Sequence, residues 1–401
     1  MSELNYLEKL LDGIDVEWKL LGDASFFEIA NNGRKPVKSS LRIAGKTPYY
    51  GANNIQDYVD GHTHDGEYVL IAEDGSASLE RYSIQYVTGK FWANNHVHVV
   101  RGKSRVNSRF LFHYLHIVNF IPFLTGGVRA KLTKGQLIEI SVPIPCPDNT
   151  EKSLAIQSEI ARILDKFTAL TAELTAELSM RKKQYNHYRD LLLSFEEGEV
   201  EWKTLGEMGT LIRGKRFVKT DIIPKGVPCI HYGEMYTHYS IWANRAKSYI
   251  SVELASKLRK ASCGDVVFVS AGETIADIGR GTAWLGDEDV VIHDACFFYK
   301  SSLNPKYVAY FSRTNFFHDQ IKKSISSGKI SAINAKGFEK VIIPVPSPEE
   351  QARIVAFLDK FDTLTSSITE GLPREIELRQ KQYEYYRDLL FSFPKPETAS
   401  N

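Results

Sequence analysis

Large and apolar residues recur between positions 160 and 195 at spacings that alternate between four and three. That alternation is a heptad repeat, and it predicts a long α-helix with one continuous apolar seam. Ala, Leu, Glu, Lys and Arg fill most of the intervening positions, and all five favour helix. A helix of about 40 residues would be about 60 Å long. The seam consists of Ile160, Leu164, Phe167, Thr171, Leu174, Leu178, Arg181, Tyr185, Tyr188, Leu192 and Phe195.

The same pattern predicts a second long helix over about 349–393. Its last part, KQYEYYRDLLFSF, nearly repeats the KQYNHYRDLLLSF of the first helix, but the link before it is longer and contains Gly371-Leu372-Pro373. Proline removes a backbone donor and crowds the preceding turn, so a kink or break is expected there. A lone heptad helix would leave its seam in water, so we expect the two helices to pack together. The expected contacts join Phe167, Leu174, Leu178 and Tyr185 with Phe361, Ile368 and Tyr383.

Internal repeats divide the chain into two halves, about 16–198 and 199–393. VEWKLLGD returns as VEWKTLGE, and ARILDKFTALT is echoed by VAFLDKFDTLT. Each half is a variable region followed by a nearly constant one. In the first variable region EYVLIA and WANNHVHVV predict strands, and SRFLFHYLHIVNFI predicts a helix. A duplicated frame with two different inserts suggests two copies of one task on two different targets.

Overall composition excludes several classes of protein. The net charge of the 401-residue chain is +1, and the content of charged and apolar residues is ordinary for a globular protein. No apolar run approaches the length of a membrane span, and the N-terminus carries acids without a signal-peptide cleavage site. The four cysteines are far apart without a CxxC pair. That spacing argues against a zinc ribbon or disulfide framework and for a reducing cytoplasm.

Basic residues are nevertheless concentrated locally. No acid occurs from Arg81 to Ile138 or from Arg34 to Lys46, which predicts a positive surface suited to a phosphate backbone. The segments TGGVRAKLTKG and SSGKISAINAKG occupy corresponding places in the two halves, and Gly-rich loops of this kind can bring Arg or Lys close to a ligand. The predicted DNA-contacting residues are Arg34, Lys35, Asn94, Asn95, His96, Arg129, Lys131, Lys134, Arg213, Lys215, Arg216, Lys322, Lys323, Lys329 and Lys336.

No catalytic constellation is found in the sequence. Gly45-Lys46-Thr47 lacks the first glycine of a phosphate loop, and no GxGxxG motif follows a strand. HTHD and HVHVV have a spacing that a metal could use, but no third ligand accompanies either, which favours an ordinary sheet face. Alternatively, imidazoles beside Asn94 and Asn95 could contact base edges, since Asn pairs well with adenine. We therefore predict no catalytic residue, no metal site and no cofactor in this chain.

Together, VPIPCP, QSEIARILDKF, the doubled Thr-Ala-Glu-Leu and the repeated KQY..YRDLL.SF resemble the specificity subunits of type I restriction–modification enzymes, most closely the IC subgroup. The resemblance implies an α+β fold with two mixed α/β target-recognition domains, separated by two long helices in an antiparallel coiled coil with pseudo-twofold repetition. It places recognition domain one, with an N-terminal helix, at 1–150 and the central helix at 151–198. Recognition domain two occupies 199–348, the C-terminal helix 349–393 and a flexible tail 394–401.

The same resemblance implies a non-catalytic, cytoplasmic subunit that binds double-stranded DNA at two half-sites. Its expected partners are two methyltransferase subunits and two restriction subunits, which would carry the S-adenosylmethionine, ATP and Mg²⁺. A helical scaffold with two protein-binding end domains is the alternative. Salt dependence distinguishes the two, because binding through several phosphates weakens steeply as salt rises.

The tetrapeptide Thr-Ala-Glu-Leu occurs twice in succession between Thr171 and Leu178. Four helical residues span about 6 Å, and B-DNA rises about 3.4 Å per base pair. Adding or removing one unit should therefore shift the two recognition domains by one or two base pairs while nearly preserving the seam. Accidental low complexity in a helix rich in Ala, Glu and Leu is the competing interpretation.

Overall fold

The computed structural model describes residues 13–126, 130–326, 328 and 330–394. The predicted N-terminal helix falls outside them, as do residues 395–401 of the predicted tail. The chain divides into two compact units, of which unit 1 comprises residues up to Glu173 and from Ile376 onward, and unit 2 comprises Leu174–Glu375. Each unit therefore combines one variable region with parts of both long helices.

Unit 1 is built on two four-stranded sheets and one separate strand pair. The sheet orders are β2-β9-β6-β7 and β4-β3-β8-β5, and β1 pairs with β10. All of these pairings are antiparallel except the parallel pair β3·β8. The strands are β1 Val16–Leu20, β2 Phe27–Ile29, β3 Ala44–Tyr50, β4 Ile55–Val59, β5 His64–Asp65, β6 Tyr68–Ala72, β7 Ile84–Val87, β8 Lys90–Ala93, β9 Val97–Gly102 and β10 Ser141–Pro145.

Strand β6 shows why the predicted EYVLIA strand is continuously apolar. Val69 and Ile71 face one hydrophobic cluster, whereas Tyr68 and Leu70 face another. Successive side chains of a strand point to opposite faces, so a strand covered on both faces needs apolar residues at every position. The predicted WANNHVHVV strand is observed as β8 and β9, separated by the turn 94–96.

The short helices of unit 1 begin at polar caps. Helix α1, Ser108–Leu115, lies within the predicted helical segment, and the Asn107 side chain caps it by accepting hydrogen bonds from the backbone N–H groups of Arg109 and Phe110. Helix α2, Lys134–Leu137, begins after Thr133, whose side chain accepts from the backbone of Gln136. Both caps satisfy donors that a helix leaves without partners at its start.

The long heptad segment forms helix α3, Thr150–Leu192, which is 43 residues long and belongs in part to each unit. It ends at Leu192, before the predicted boundary at Gly198. Its N-terminal part places Ile160 and Leu164 in the core of unit 1, and just beyond its C-terminal end Leu193 lies in the core of unit 2. The helical frame is thus a structural component of both units, which explains why its sequence differs less between the two halves than the loops do.

Unit 2 has the sheet arrangement of unit 1 with two additions, a fifth strand, β14, in its first sheet and the pair β18·β22. Its sheet orders are β12-β21-β17-β19-β14 and β15-β13-β20-β16, with the additional pairs β11·β23 and β18·β22. The strands are β11 Glu201–Thr204, β12 Gly209–Arg213, β13 Val227–Ile230, β14 Trp242–Ala243, β15 Ser248–Ile250, β16 Lys260–Ala261, β17 Val266–Val269, β18 Ala271–Gly272, β19 Gly281–Trp284, β20 Val290–Ile292, β21 Cys296–Ser301, β22 Ser331–Ala332 and β23 Ile342–Val345.

The remaining helices belong to unit 2 or form the C-terminal part of the helical frame, by which we mean α3 and the two C-terminal helices. The predicted second long helix is two helices, α10 and α11, separated by residues 367–370. Gly371 begins α11 at φ +77°, and a Cβ there would lie 2.5 Å from the carbonyl oxygen of Thr363. The expected break is therefore present, and Pro373 lies in the first turn of α11, where proline is tolerated. The helices are α4 Leu205–Met208, α5 Glu234–Thr237, α6 Val252–Ala255, α7 Pro305–Phe311, α8 Asn315–Lys322, α9 Ala335–Glu339, α10 Pro348–Ser366 and α11 Gly371–Leu390.

Within each unit α3 packs against one of the C-terminal helices. In unit 1 the ring of Phe167 stacks on Tyr386 of α11 at 5.2 Å between centroids. In unit 2 Tyr188, later on α3, contacts Phe361 of α10 at 5.7 Å. The partner on the C-terminal helices thus comes earlier in sequence as α3 advances, which is an antiparallel arrangement. Ile368 corrects the predicted seam: it lies in the helix break and is 79% exposed, because the extra residues of the link leave no helical seam position for it.

In unit 1 a partly buried polar contact joins α1 to α3. The Asp165 carboxylate on α3 accepts hydrogen bonds from Arg109 Nε and His113 Nε2, both at 2.7 Å. Burial lowers the pKa of His113 even though the carboxylate acts in the opposite direction. This contact fixes α1 against α3.

Unit 2 contains a corresponding contact with different residue types. Asp359 of α10 accepts from Lys306 Nζ at 2.8 Å and from the Tyr310 hydroxyl at 2.7 Å, and both donors are on α7. A frame carboxylate therefore anchors the helix after the last long strand in each unit.

Candidate nucleic-acid interface

Four loops follow corresponding strands in the two units, and a fifth follows helical residues in each; we name these five loops together the loop end of each unit. In unit 1 they are loop 1 (30–43), loop 2 (51–54), loop 3 (73–83), loop 4 (94–96) and loop 5, closed by the bridge between Thr125 and Lys131. In unit 2 they are loop 1 (214–226), loop 2 (231–241), loop 3 (270–280), loop 4 (293–295) and loop 5, closed by the bridge between Ser326 and Ala332.

Four backbone hydrogen bonds tie the loops to one another or to neighbouring strands, and each recurs in both units. In unit 1 they are Lys35 N to Ala93 O (3.0 Å), Asn94 N to Tyr50 O (3.2 Å), Glu73 N to His96 O (2.8 Å) and Leu132 N to Glu73 O (2.7 Å). In unit 2 they are Lys215 N to Ile292 O (3.1 Å), His293 N to Ile230 O (3.2 Å), Ser270 N to Ala295 O (2.9 Å) and Ile333 N to Ser270 O (2.9 Å). These bonds bring loops that are distant in sequence to one end of each unit, and they establish which residues are equivalent.

Most predicted DNA-contacting residues lie at these loop ends or beside them. Arg129 and Lys329 lie outside the described residues. In unit 1 the others are Arg34 and Lys35 in loop 1, Asn94, Asn95 and His96 in loop 4, Lys131 in loop 5 and Lys134 at the start of α2. In unit 2 they are Arg213 at the end of β12, Lys215 and Arg216 in loop 1, Lys322 and Lys323 at the end of α8, and Lys336 in α9. Their contact with DNA remains a prediction.

Arg34 and Lys131 have a structural partner in Glu73. The Glu73 carboxylate accepts from Arg34 at 2.5 Å and from Lys131 at 2.9 Å, and only 14% of its side chain is exposed. Burial acts to raise the pKa of Glu73, but the hydrogen bonds from the two cations outweigh it and lower the pKa. Arg34 also donates to the carbonyl of Val97 at 2.9 Å. This cluster ties loops 1, 3 and 5 together, and of its two cations Lys131 is the more exposed.

Loop 4 of unit 1 differs from the expectation that the sequence alone gave. Asn94 is 3% exposed, and its Oδ1 accepts from the backbone N–H of His96 at 2.8 Å. Its amide therefore stabilises its own turn and has little access to DNA in this conformation. His96 is half exposed, and its Nδ1 lies 2.5 Å from a carboxylate oxygen of Asp74. Asn95 is the exposed amide of the pair.

Three of the four histidines in the two His-x-His pairs, namely His64, His96 and His98, have structural partners. His98 is fully buried, with Nδ1 2.9 Å from the Asn31 amide and Nε2 2.7 Å from the carbonyl oxygen of Leu132. His64 Nε2 lies 2.9 Å from the carbonyl oxygen of Ala30. Within the part of the chain that the structure describes, no group of three or more His, Cys, Asp or Glu residues could hold a metal ion.

The acid-free stretch 81–138 is less uniformly positive in the structure than its composition suggests. Arg101 pairs with Glu28 at 2.7 Å, and Arg105 donates to the carbonyl of Pro147 at 2.6 Å. Arg109 is held by the frame carboxylate described above. The acids that pair with Arg101 and Arg109 are Glu28 and Asp165, and both come from outside the stretch. An acid-free run of sequence therefore does not fold into a surface free of acids.

The loop end of unit 2 has an aromatic part that was not predicted from the sequence. Phe217, His231, Tyr232 and His293 contact one another there, with 4.6 Å between the centroids of the two histidine rings. They line a cleft of about 660 Å³. Aligning loop 4 of the two halves, Asn94 with His293, would have identified one of them. The aromatic density of HYGEMYTHY, which begins at His231, was a second signal.

Among the described helices, none is long and apolar enough to cross a membrane.

Comparison with known proteins is consistent across sequence and structure. The family model for the type I restriction modification DNA specificity domain matches twice, at residues 15–180 and 197–378. A Haemophilus influenzae protein named as a putative type I restriction enzyme specificity subunit is 46% identical, with 97% of this chain and 98% of that protein covered. A type I restriction enzyme specificity subunit of Escherichia coli is 40% identical, with 100% of both chains covered. The double match of one model confirms the internal repeat.

Two solved structures share the fold. The S subunit of a type I restriction–modification system from M. genitalium superposes with a TM-score of 0.58 at 13% identity, covering 96% of this chain and 98% of that one. A chain from a structural study of type I restriction–modification assembly gives 0.53 at 17% identity, covering 94% and 97%. At these identities the likeness establishes the architecture of two mixed α/β units with long helices.

Proposed function

Because the chain belongs to the type I restriction modification DNA specificity family, we propose that each loop end recognises one half of a split double-stranded DNA sequence. In this family the chain is the non-catalytic specificity subunit, with two recognition domains that select the DNA target. It works with methyltransferase and restriction subunits.

The observation that carries the proposal is the recurrence of one loop end on two units of the same fold. The same backbone bonds assemble five loops in both units, while the side chains that these loops present differ. Exposed cations at the rim, such as Lys35 and its equivalent Lys215, suit phosphate contacts that position a protein on DNA. Side chains nearer the centre of the loop end differ between the units, and base-edge contacts are the ones that distinguish one sequence from another.

The helical frame then has two tasks in this proposal. It sets the number of base pairs between the two half-sites, and it carries the catalytic partners. We propose two methyltransferase and two restriction subunits per chain, by analogy with the two-fold repetition of the frame. S-adenosylmethionine, ATP and Mg²⁺ would bind to those partners. We place the assembly in the cytoplasm, where unpaired cysteines such as buried Cys229 and Cys296 stay reduced.

The test is to express this chain with its methyltransferase subunits and to map methylated sites across a genome. We expect one bipartite sequence, two specified half-sites separated by unspecified base pairs. Equilibrium binding of the purified complex to that duplex should weaken with a steep log–log slope as salt increases. Random methylation, or binding that ignores salt, would contradict the proposal, and salt-independent binding would favour the protein-scaffold alternative.

A further inference from the structure

The cleft at the loop end of unit 2 is formed by all five of its loops. Loop 1 contributes Phe217 and Val218, loop 2 contributes Tyr232, and loop 5 contributes Ile330. The side chains of Val218, Tyr232 and Ile330 are 42%, 38% and 62% exposed. Three large apolar groups from three separate loops thus surround one opening and form its apolar rim. Exposed apolar surface that is concentrated in one place and surrounded by polar residues marks a binding site.

The floor of the cleft provides a directed hydrogen-bond donor. His231 Nδ1 accepts from the backbone N–H of Gly233 at 3.3 Å, so the proton of the neutral ring resides on Nε2. Burial lowers the pKa of His231 and favours this neutral form. Within the described residues the structure gives Nε2 no hydrogen-bond partner. His231 therefore offers an N–H group to a ligand in the cleft.

Charges of both signs line the cleft, which argues against a phosphate as its occupant. Arg216 and Lys219 lie on the loop 1 side, whereas Glu273, Asp277 and Asp294 belong to loops 3 and 4. Asp277 is paired with an arginine, but the structure gives Glu273 no such partner among the described residues. Carboxylates repel phosphate and accept hydrogen bonds from the amino groups of bases.

Unit 1 lacks this chemistry at the equivalent positions. Tyr50 and Ile230 are equivalent, because the carbonyl of each accepts a hydrogen bond from the first residue of loop 4. The next residue is Gly51 in unit 1 and His231 in unit 2. Loop 4 begins with Asn94 in unit 1 and with His293 in unit 2. The same backbone therefore carries a glycine and an asparagine in one unit and two histidine rings that line a cleft in the other, as two domains with different targets require.

We propose that this cleft recognises a T·A base pair of the second half-site through its major-groove edge, with the apolar rim against the thymine methyl group. This inference rests on the proposed function and identifies the residues that give unit 2 its own specificity. An A·T pair presents a methyl group, two acceptors and one amino group in the major groove, whereas a G·C pair presents no methyl group. The apolar rim suits the methyl group, the His231 N–H suits an acceptor, and the Glu273 carboxylate suits the amino group.

The test uses the complex of this chain with its methyltransferase subunits and the bipartite duplex found by methylation mapping. Each thymidine of the second half-site is replaced in turn by deoxyuridine, which removes only the methyl group. At one position we expect the affinity to fall about fourfold, because burying one methyl group contributes about that much to binding. We call this fall the deoxyuridine penalty.

Tyr232→Ala and Val218→Ala should each abolish this penalty, and Tyr232→Phe should retain it. His231→Phe should relax base preference at the same position, while His231→Gln, which keeps an N–H donor, should preserve it.

Trp242→Ala is the matched control, because Trp242 is an exposed aromatic residue of unit 2 that does not line the cleft. It should leave every deoxyuridine penalty unchanged. If Tyr232→Ala leaves all penalties in the second half-site intact, or weakens binding to every sequence equally, the inference is overturned while the proposed function survives. A wild-type complex without sequence-specific binding would overturn both.

Discussion

The two units of this protein have the same fold and differ mainly in their loops. Unit 1 closes its loop end with the buried ion-pair cluster around Glu73, whereas unit 2 has Ser270 at the equivalent position and an open aromatic cleft beside it. The bonds that assemble the loops are the same in both. The comparison teaches that the strands and their backbone bonds fix where the loops meet, and that the side chains at that place are free to diverge. The helical frame, in contrast, is shared by both units.

The largest effect should come from changing the shared frame without touching either unit's loops. A third Thr-Ala-Glu-Leu unit after Leu178 adds about 6 Å of helix and rotates the C-terminal part of α3 by about 40°. Both half-sites should keep their sequences, while the spacer lengthens by one or two base pairs and the original site is no longer methylated. Methylation mapping of wild type and variant checks this. An unchanged spacer with full activity would show that the repeat has no geometric role.

The second largest effect should be a difference in the free energy of unfolding between equivalent substitutions in the two loop ends. Glu73→Gln leaves Arg34 half-buried without its carboxylate, and loss of one partner of such a pair costs about 3–5 kcal/mol when fully buried. We expect about 2–3 kcal/mol here, because Lys131 is partly exposed. Ser270→Ala at the equivalent position of unit 2 should cost less than about 1 kcal/mol, the typical value for changes that leave no buried charge. Chemical denaturation of both variants measures the difference.

The pH dependence of the Glu73 effect results from its lowered pKa. A carboxyl whose pKa is lower in the folded state binds protons more readily when unfolded, so its contribution to stability is present above its unfolded pKa of about 4.3. That contribution is lost as pH falls through the lower folded-state pKa. Wild type and Glu73→Gln should therefore differ at neutral pH and converge in stability in strong acid. A gap that persists unchanged there would assign the effect to packing.

Equivalent rim cations should behave alike in the two units. Lys35→Ala and Lys215→Ala should each weaken binding to all sequences, by about tenfold at low salt, and reduce the salt slope by about one unit. Lys131→Ala and Lys336→Ala test the loop 5 region in the same way. Lys203→Ala, in an exposed pair with Glu201 on β11, is a control. If all four variants bind the methylated site like wild type at moderate salt, these loops do not contact DNA.

The smallest expected difference concerns two equivalent helix caps. Thr133 caps α2 in unit 1, and Asn334 caps α9 in unit 2 by accepting from the backbone of Gly337. Replacing either cap by Ala should cost about 1 kcal/mol. Hydrogen exchange should show the loss in the capped helix of the altered unit alone. Equal loosening of both units would mean that the helical frame couples them.

Sequence alone determined the frame of this protein. The heptad seam, the duplicated motifs and Gly371-Leu372-Pro373 predicted α3, the two halves and the break between α10 and α11, because periodicity and proline act through local geometry. The same segments also identified the family. One seam residue, Ile368, was placed wrongly, since a heptad count cannot be carried across a break.

Only the tertiary structure decided which loop residues are available to a ligand. The sequence predicted Arg34 and Asn94 as DNA contacts and placed Arg109 in an acid-free stretch. In the folded chain Glu73 pairs with Arg34, the Asn94 side chain bonds within its own turn, and Asp165 pairs with Arg109. The aromatic cleft of unit 2 likewise assembles from five loops that are distant in sequence. Pairing and burial depend on residues that meet only in the folded chain, and no local pattern records those meetings.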